Sequence, residues 1–214
     1  MIVNPLTRSF VADITSVDLR DLEEQQFVRL YSAWLEFGVL RVRDQNINED
    51  ELQSFSARFA PLGEIPFGRM PDSEKAKVKN RYVTQLSNII VDGKPVGGLG
   101  NTEASWHSDM TYVVAPPPAS VLLAVETPSE GGDTYFAHQC AAYEAIPDKL
   151  KQRIDHLTIK HDAAHTSIGR LSPGYEAFDD PRDAPGAVHS IVRVHEETGK
   201  KVLYPGRREW SYIP

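Results

Sequence analysis

The seven residues Trp106-His-Ser-Asp-Met-Thr-Tyr112 carry the densest chemistry in this sequence. His107 and Asp109 are two apart, so in an extended segment both side chains leave the same face. An imidazole beside a carboxylate on a rigid segment forms two thirds of the 2-His-1-carboxylate set. That set holds non-haem Fe(II) and leaves one face open for co-substrate and oxygen. The same pair is also common as a surface ion pair or a hydrogen-bonded core group, so the motif alone leaves these readings open.

The other candidates are thinner. His161 and His165 stand four apart around a strand end, His189 and His195 bracket a later strand, and His138 and His156 read as surface residues. Cys140 lies beside a helix start with no basic neighbour, which suits a small packed residue better than a nucleophile. The basic run Lys75-Ala-Lys-Val-Lys-Asn-Arg81 has no interleaved aromatics and reads as a solvated face.

These residues need elements to position them. Phe27, Leu30, Tyr31, Trp34 and Leu35 recur at helical spacing, predicting a helix over 22–37 capped by Asp21 with Glu24 and ended at Gly38. A short strand over 39–43 follows, then a helix from Asn48, with Glu51 completing its cap, to about Phe59. From Pro61 to Gly100 the pattern weakens into a long loop, in which only Gln85 to Val91 is strand-like. After Trp106, short strands are expected at 120–126, 134–137 and 157–161, with a helical stretch over 141–156 broken at Pro147. Segments 187–195 and 201–204 flank Glu196-Glu-Thr-Gly199 and read as a β-hairpin. The fold class expected is mainly β with flanking helices (α+β), a sandwich or jelly roll.

Composition sets the outer bounds. The 214 residues are 41% hydrophobic and 25% charged, the make-up of a globular chain, and one domain over 1–214 is the expectation. A single cysteine excludes an internal disulfide and a Cys-rich metal cluster. The net charge of −7 disfavours nucleic acid and anionic lipid as partners. No signal-like start or long apolar run is present, so the expected location is cytoplasmic, with no membrane segment. The terminal Trp210-Ser-Tyr-Ile-Pro214 is aromatic and apolar, giving the expectation of a domain incomplete at its C-terminus.

Four further stretches accompany the His-x-Asp motif: Val39-Leu-Arg-Val-Arg-Asp-Gln45, Arg58-Phe-Ala-Pro-Leu-Gly63, Pro128-Ser-Glu-Gly-Gly-Asp-Thr-Tyr135 and the run from His189 to Tyr204. In this order, from about Gly38 onward, the chain closely resembles the taurine/2,4-dichlorophenoxyacetate dioxygenase family of Fe(II)- and 2-oxoglutarate-dependent oxygenases. The resemblance implies a double-stranded β-helix, a form of jelly roll. It implies that His107 and Asp109 are metal ligands and catalytic residues, and that Thr134 hydrogen-bonds the 2-oxoglutarate. It also implies the activity: with Fe(II) and molecular oxygen, 2-oxoglutarate is converted to succinate and CO2 while a small, anionic organic substrate is hydroxylated. The hydroxylated product can then fragment. His189 and His195 fall in a structural strand and hairpin by the same resemblance.

Two departures stand out. The family's third ligand, a histidine, and its 2-oxoglutarate-binding arginine follow a Trp-Asp-Asn-Arg-type segment, and nothing like it occurs among the 214 residues. The alternative to an incomplete chain is therefore a catalytically incomplete relative that binds a ligand or partner. Taurine-specific members also carry a histidine and tyrosine where this chain has Ile65-Pro-Phe-Gly-Arg-Met70, which argues against taurine. Arg207 and Arg208 lie where the family lines its pocket and could pair with a substrate anion, with Trp210 packing an apolar body. Family members often associate, which leaves a homo-oligomer open.

Overall fold

The computed structural model describes residues 1–6, 10–64, 73, 78–100, 105–172, 174–206 and 210–214. They fall into two compact units. The first takes Met1–Pro61, Ala119–Lys151 and Val192–Leu203, and the second takes Leu62–Pro118, Gln152–Ile191 and Tyr204–Pro214.

In the first unit, β1 (Ile2–Pro5), β2 (Val11–Thr15) and β3 (Val39–Val42) form one sheet in that order. β1 runs antiparallel to β2, whereas β2 and β3 are parallel, joined through α1 (Glu24–Phe37). The sequence reading had no strand before Gly38. Its signal was short: only Ala12 and Ile14, two apart, turn inward, and both are completely buried. Helix α1 starts two residues later than expected, with Glu23 as cap, not Asp21. The Glu23 N–H donates to Gln26 Oε1 at 3.1 Å. Gly38 ends it as expected, at φ 78°, with its N–H on the Trp34 carbonyl.

Helix α2 (Glu49–Ser56) has the expected cap, because Glu51 N–H donates to Asn48 Oδ1 and Asn48 N–H to Glu51 Oε2. It stops three residues before Phe59, which turns back into the core of Leu22, Phe27, Leu30 and Phe55. Phe59 meets Phe27, Trp34 and Phe55 edge-on and stacks on Tyr31. The Arg58 guanidinium lies 4.1 Å above the Phe27 ring and donates to the Leu22 carbonyl, tying the two helices together.

The helical stretch broken at Pro147 is two helices, α3 (Gln139–Ala145) and α4 (Asp148–Ile154). His138 is not a plain surface residue: its Nδ1 accepts the Ala141 N–H and caps α3. The expected hairpin is present as β10 (Val192–Val194) against β11 (Lys201–Leu203), with Gly199 at φ 67°.

The second unit contains a parallel pair, β4 (Leu86–Ser87) with β7 (Gly98–Leu99), around a tight hairpin of β5 (Ile90–Val91) and β6 (Lys94–Pro95). Asp92 and Gly93 both take positive φ in its two-residue turn, as the right-handed twist of a hairpin demands. β8 (Thr158–Lys160) pairs antiparallel with β9 (Val188–Ser190), placing Ile159 opposite His189.

Two expectations fail. Residues 120–126 and 134–137 lie in no sheet among the described residues, and Leu122, Val125, Tyr135 and Phe136 are exposed. A short apolar run makes a segment fit for a sheet, but a strand forms only where a neighbour accepts its ladder bonds. The sheets among the described residues are one of three strands and four of two.

Candidate metal centre

The segment bearing His107 and Asp109 is not a strand. It runs irregularly to Ser108 and then turns through Asp109–Tyr112, with Met110 at φ 49°. A residue with a Cβ at that φ cannot continue an extended chain, so the segment turns there. The turn still brings the two side chains together, with His107 Nε2 3.2 Å from Asp109 Oδ1. The imidazole side chain is 27% exposed and the carboxylate 60%.

The other ring nitrogen fixes the chemistry. His107 Nδ1 lies 2.7 Å from the Ser105 carbonyl, which can only accept, so Nδ1 carries a hydrogen. In the neutral ring, Nε2 then directs a lone pair at a carboxylate oxygen. Two acceptors face each other stably at this distance only with a proton or a cation between them. Adjacent ligands of a first-row divalent ion, each about 2.1 Å from it, stand about 3 Å apart at a right angle. The donor types also suit Fe(II), and a carbonyl holding the remote imidazole nitrogen is the usual support of a metal-binding histidine. The pair therefore fits the group.

The turn is held from both sides. Ahead of it, Ser105 donates its hydroxyl to the Ser167 carbonyl. Behind it, Thr111 is wholly buried, the Tyr112 carbonyl accepts the Ala187 N–H at 2.9 Å, and the Val113 carbonyl accepts from His189 Nε2 at 2.9 Å. The sequence reading missed these supports. They act through backbone carbonyls, which no residue type announces.

Thr134 belongs to the first unit, exposed, two residues after the consecutive positive-φ pair Gly131 and Gly132. Arg207 and Arg208 lie outside the described residues, as do Ile65–Met70 and Lys75–Lys77 of the basic run. Trp210 stacks on His165, with centroids 5.1 Å apart and rings within 7° of parallel, and meets Phe178 edge-on. His165 in turn holds Asp162 through Nδ1 at 2.7 Å, and Asp162 Oδ1 accepts the Ala164 N–H. Asp162 and His161 are buried, so that pair of histidines belongs to a polar core cluster. Among the described residues no group of three His, Cys, Asp or Glu could hold a metal.

Comparison with known proteins gives the class, the 2-oxoglutarate-dependent dioxygenases. The model of the family described as taurine catabolism dioxygenase TauD, TfdA family matches residues 2–213. The chain is 31% identical over 211 residues to a (S)-phenoxypropionate/alpha-ketoglutarate-dioxygenase of Sphingobium herbicidovorans, covering 96% of this chain and 70% of that protein. It is 30% identical over 218 residues to an alpha-ketoglutarate-dependent 2,4-dichlorophenoxyacetate dioxygenase of Cupriavidus pinatubonensis, covering 96% and 73%. A solved taurine dioxygenase from Burkholderia xenovorans superposes with a TM-score of 0.65 at 28% identity, covering 95% of this chain and 62% of that one. A solved complex of AAD-2 with Mn(II) and N-oxalylglycine shares the fold, with a TM-score of 0.68, 23% identity and coverage of 99% and 84%.

The chain belongs to the TauD/TfdA family. Its relatives are named as alpha-ketoglutarate-dependent dioxygenases, which makes it an oxidoreductase of the class that works with Fe(II) and 2-oxoglutarate. It spans about seven tenths of the length of the two curated relatives and less of the solved taurine dioxygenase. No helix among the described residues is long and apolar enough to cross a membrane.

Proposed function

We propose that His107 and Asp109 are the iron-holding pair of an Fe(II)- and 2-oxoglutarate-dependent dioxygenase that hydroxylates a small, anionic organic molecule. The observation that carries this reading is the approach of His107 Nε2 to Asp109 Oδ1 with Nδ1 already committed to Ser105. Iron bound there supplies the redox chemistry by which oxygen and 2-oxoglutarate hydroxylate a C–H bond. The protein's part is to present one imidazole lone pair and one carboxylate in fixed register. The Ser105 carbonyl sets the histidine tautomer, and the Asp109 charge offsets part of the charge of a divalent ion.

Thr134 is proposed to hydrogen-bond the co-substrate through its hydroxyl, on the strength of its place after the glycine turn. Relatives named for phenoxypropionate, 2,4-dichlorophenoxyacetate and sulfate ester support the substrate class, since each is an organic anion with oxygen bonded to carbon. Hydroxylation of that carbon yields a product that sheds the oxygen-bound group. Arg207 and Arg208 are the proposed anion partners and Trp210 the apolar wall. A jelly-roll framework, a single domain over 1–214 and a cytoplasmic location are parts of the same proposal.

The test is anaerobic titration of Fe(II) and 2-oxoglutarate into the native protein, followed by the weak visible charge-transfer band of the chelate. The band is expected in the wild type and absent in Asp109→Ala, with the far-ultraviolet circular dichroism unchanged. A wild type without the band would instead support a ligand- or partner-binding relative that performs no oxygen chemistry.

A further inference from the structure

We infer that His189, which is not one of the ligand pair, is a positioning residue of the metal centre. It locks the turn that carries His107 and Asp109 by donating its Nε2 hydrogen to the carbonyl of Val113. The inference rests on the metal-site reading above and adds a residue to it.

The turn needs an external hold. Met110 sits at φ 49°, a conformation that residues with a Cβ seldom take, and within the turn one bond closes it, from Val113 N–H to the Met110 carbonyl at 3.1 Å. Val113 is thus the residue at which the turn is shut, four positions after Asp109. Its own carbonyl points to His189 Nε2 at 2.9 Å across 76 residues of sequence. A carbonyl cannot donate, so His189 must carry its hydrogen on Nε2. That nitrogen has no lone pair left for a metal while the bond stands.

The clamp itself is immobilised. β9 holds the His189 backbone against Ile159 of β8, and the same strand region reaches the preceding carbonyl through Ala187 N–H. The His189 ring packs against His161, with centroids 5.4 Å apart, and edge-on against Tyr204 at 5.5 Å. His161 backs the turn as well, because Gly206 brings its backbone between that ring and Thr111. A Cβ at Gly206 would fall 2.3 Å from His161 Cε1 and 2.9 Å from Thr111 Oγ1. Thr111, Tyr112 and Val113 therefore meet Gly206, Ala187 and His189 in turn, two to four residues after Asp109.

Mn(II) binding, read by electron paramagnetic resonance, tests this without turnover. Wild type, Asp109→Ala, His189→Leu and His189→Gln are compared, with thermal unfolding of each. His189→Leu removes the donor and is expected to weaken Mn(II) binding at least tenfold. His189→Gln places an amide N–H near the position of Nε2 and is expected to stay within about twofold of wild type. Wild-type affinity in His189→Leu would overturn the inference, as would a folded His189→Gln as weak as the leucine variant. Should His189→Leu fail to fold, nitrogen NMR of the wild-type ring decides: hydrogen on Nε2 is expected, and a neutral ring protonated on Nδ1 would overturn it. A wild type that binds no Mn(II), or an Asp109→Ala that binds it equally, removes the metal-site reading itself.

Discussion

Between Val11 and Phe59 the chain is held mainly by elements close to one another in sequence, whereas Ser105–Val113 is fastened to residues sixty to a hundred positions away. In the first region an inward strand pair, a capped helix and an aromatic cluster around Phe59 bury their own apolar faces. In the second, a turn with one side-chain residue at positive φ is fastened by Ser167, Ala187, His189 and the backbone of Gly206. Apolar burial stabilises a fold wherever the pattern occurs. A metal site asks for two atoms at a set distance, and hydrogen bonds to a rigid strand supply that more directly than packing does.

The largest effect expected is on the locally held region. Leu30 is 1% exposed in its core, so Leu30→Ala should lower unfolding stability by about 2–5 kcal/mol in urea titration. A loss near zero would break the claim that packing orders this region. Asn48→Ala removes the cap of α2 and should cost about 1 kcal/mol by the same measurement, restored in large part by Asn48→Asp. On the proposed site, Thr134→Ala should raise the 2-oxoglutarate requirement by roughly fivefold, the equivalent of one hydrogen bond of about 1 kcal/mol, with little change in unfolding. An unchanged requirement would take Thr134 out of the site.

The smallest effect is electrostatic. The Arg20 side chain, and then its backbone N–H, hold the Asp18 carboxyl at a pKa of about 2, below the ordinary 3.8. Arg182 does the same for Asp180. A depressed carboxyl contributes stability that is fully present above about pH 4 and is lost as pH falls through about 2. Both pairs are exposed and local, so the slope of stability with pH in that window should be shallow. Carboxyl carbon NMR should show an Asp18 midpoint near 2, moving back up in Arg20→Ala.

This contrast also explains what could be read from sequence. Helix periodicity, the Asn48–Glu51 cap, Gly38, the Pro147 break and the hairpin around Gly199 are local signals, and the structure contains all of them. The cap of α1 was misplaced because Glu23 and Gln26 repeat the Asp21 and Glu24 pattern two residues on, and local spacing cannot choose between them. The strands expected at 120–126 and 134–137 failed for the opposite reason, since pairing is decided by a neighbour and not by the segment. The approach of His107 to Asp109 was legible because a two-residue spacing is local. Their support was not, because it depends on which strand passes behind Val113. His189 was visible as a residue and invisible as a clamp.

The most direct measurement of the central claim is a crystal structure of Mn(II)-loaded protein with anomalous diffraction at the manganese edge. A peak bonded to His107 Nε2 and Asp109 is expected, with His107 Nδ1 still on the Ser105 carbonyl. A peak bound elsewhere, or a His107 ring turned so that Nδ1 meets the metal, would contradict it.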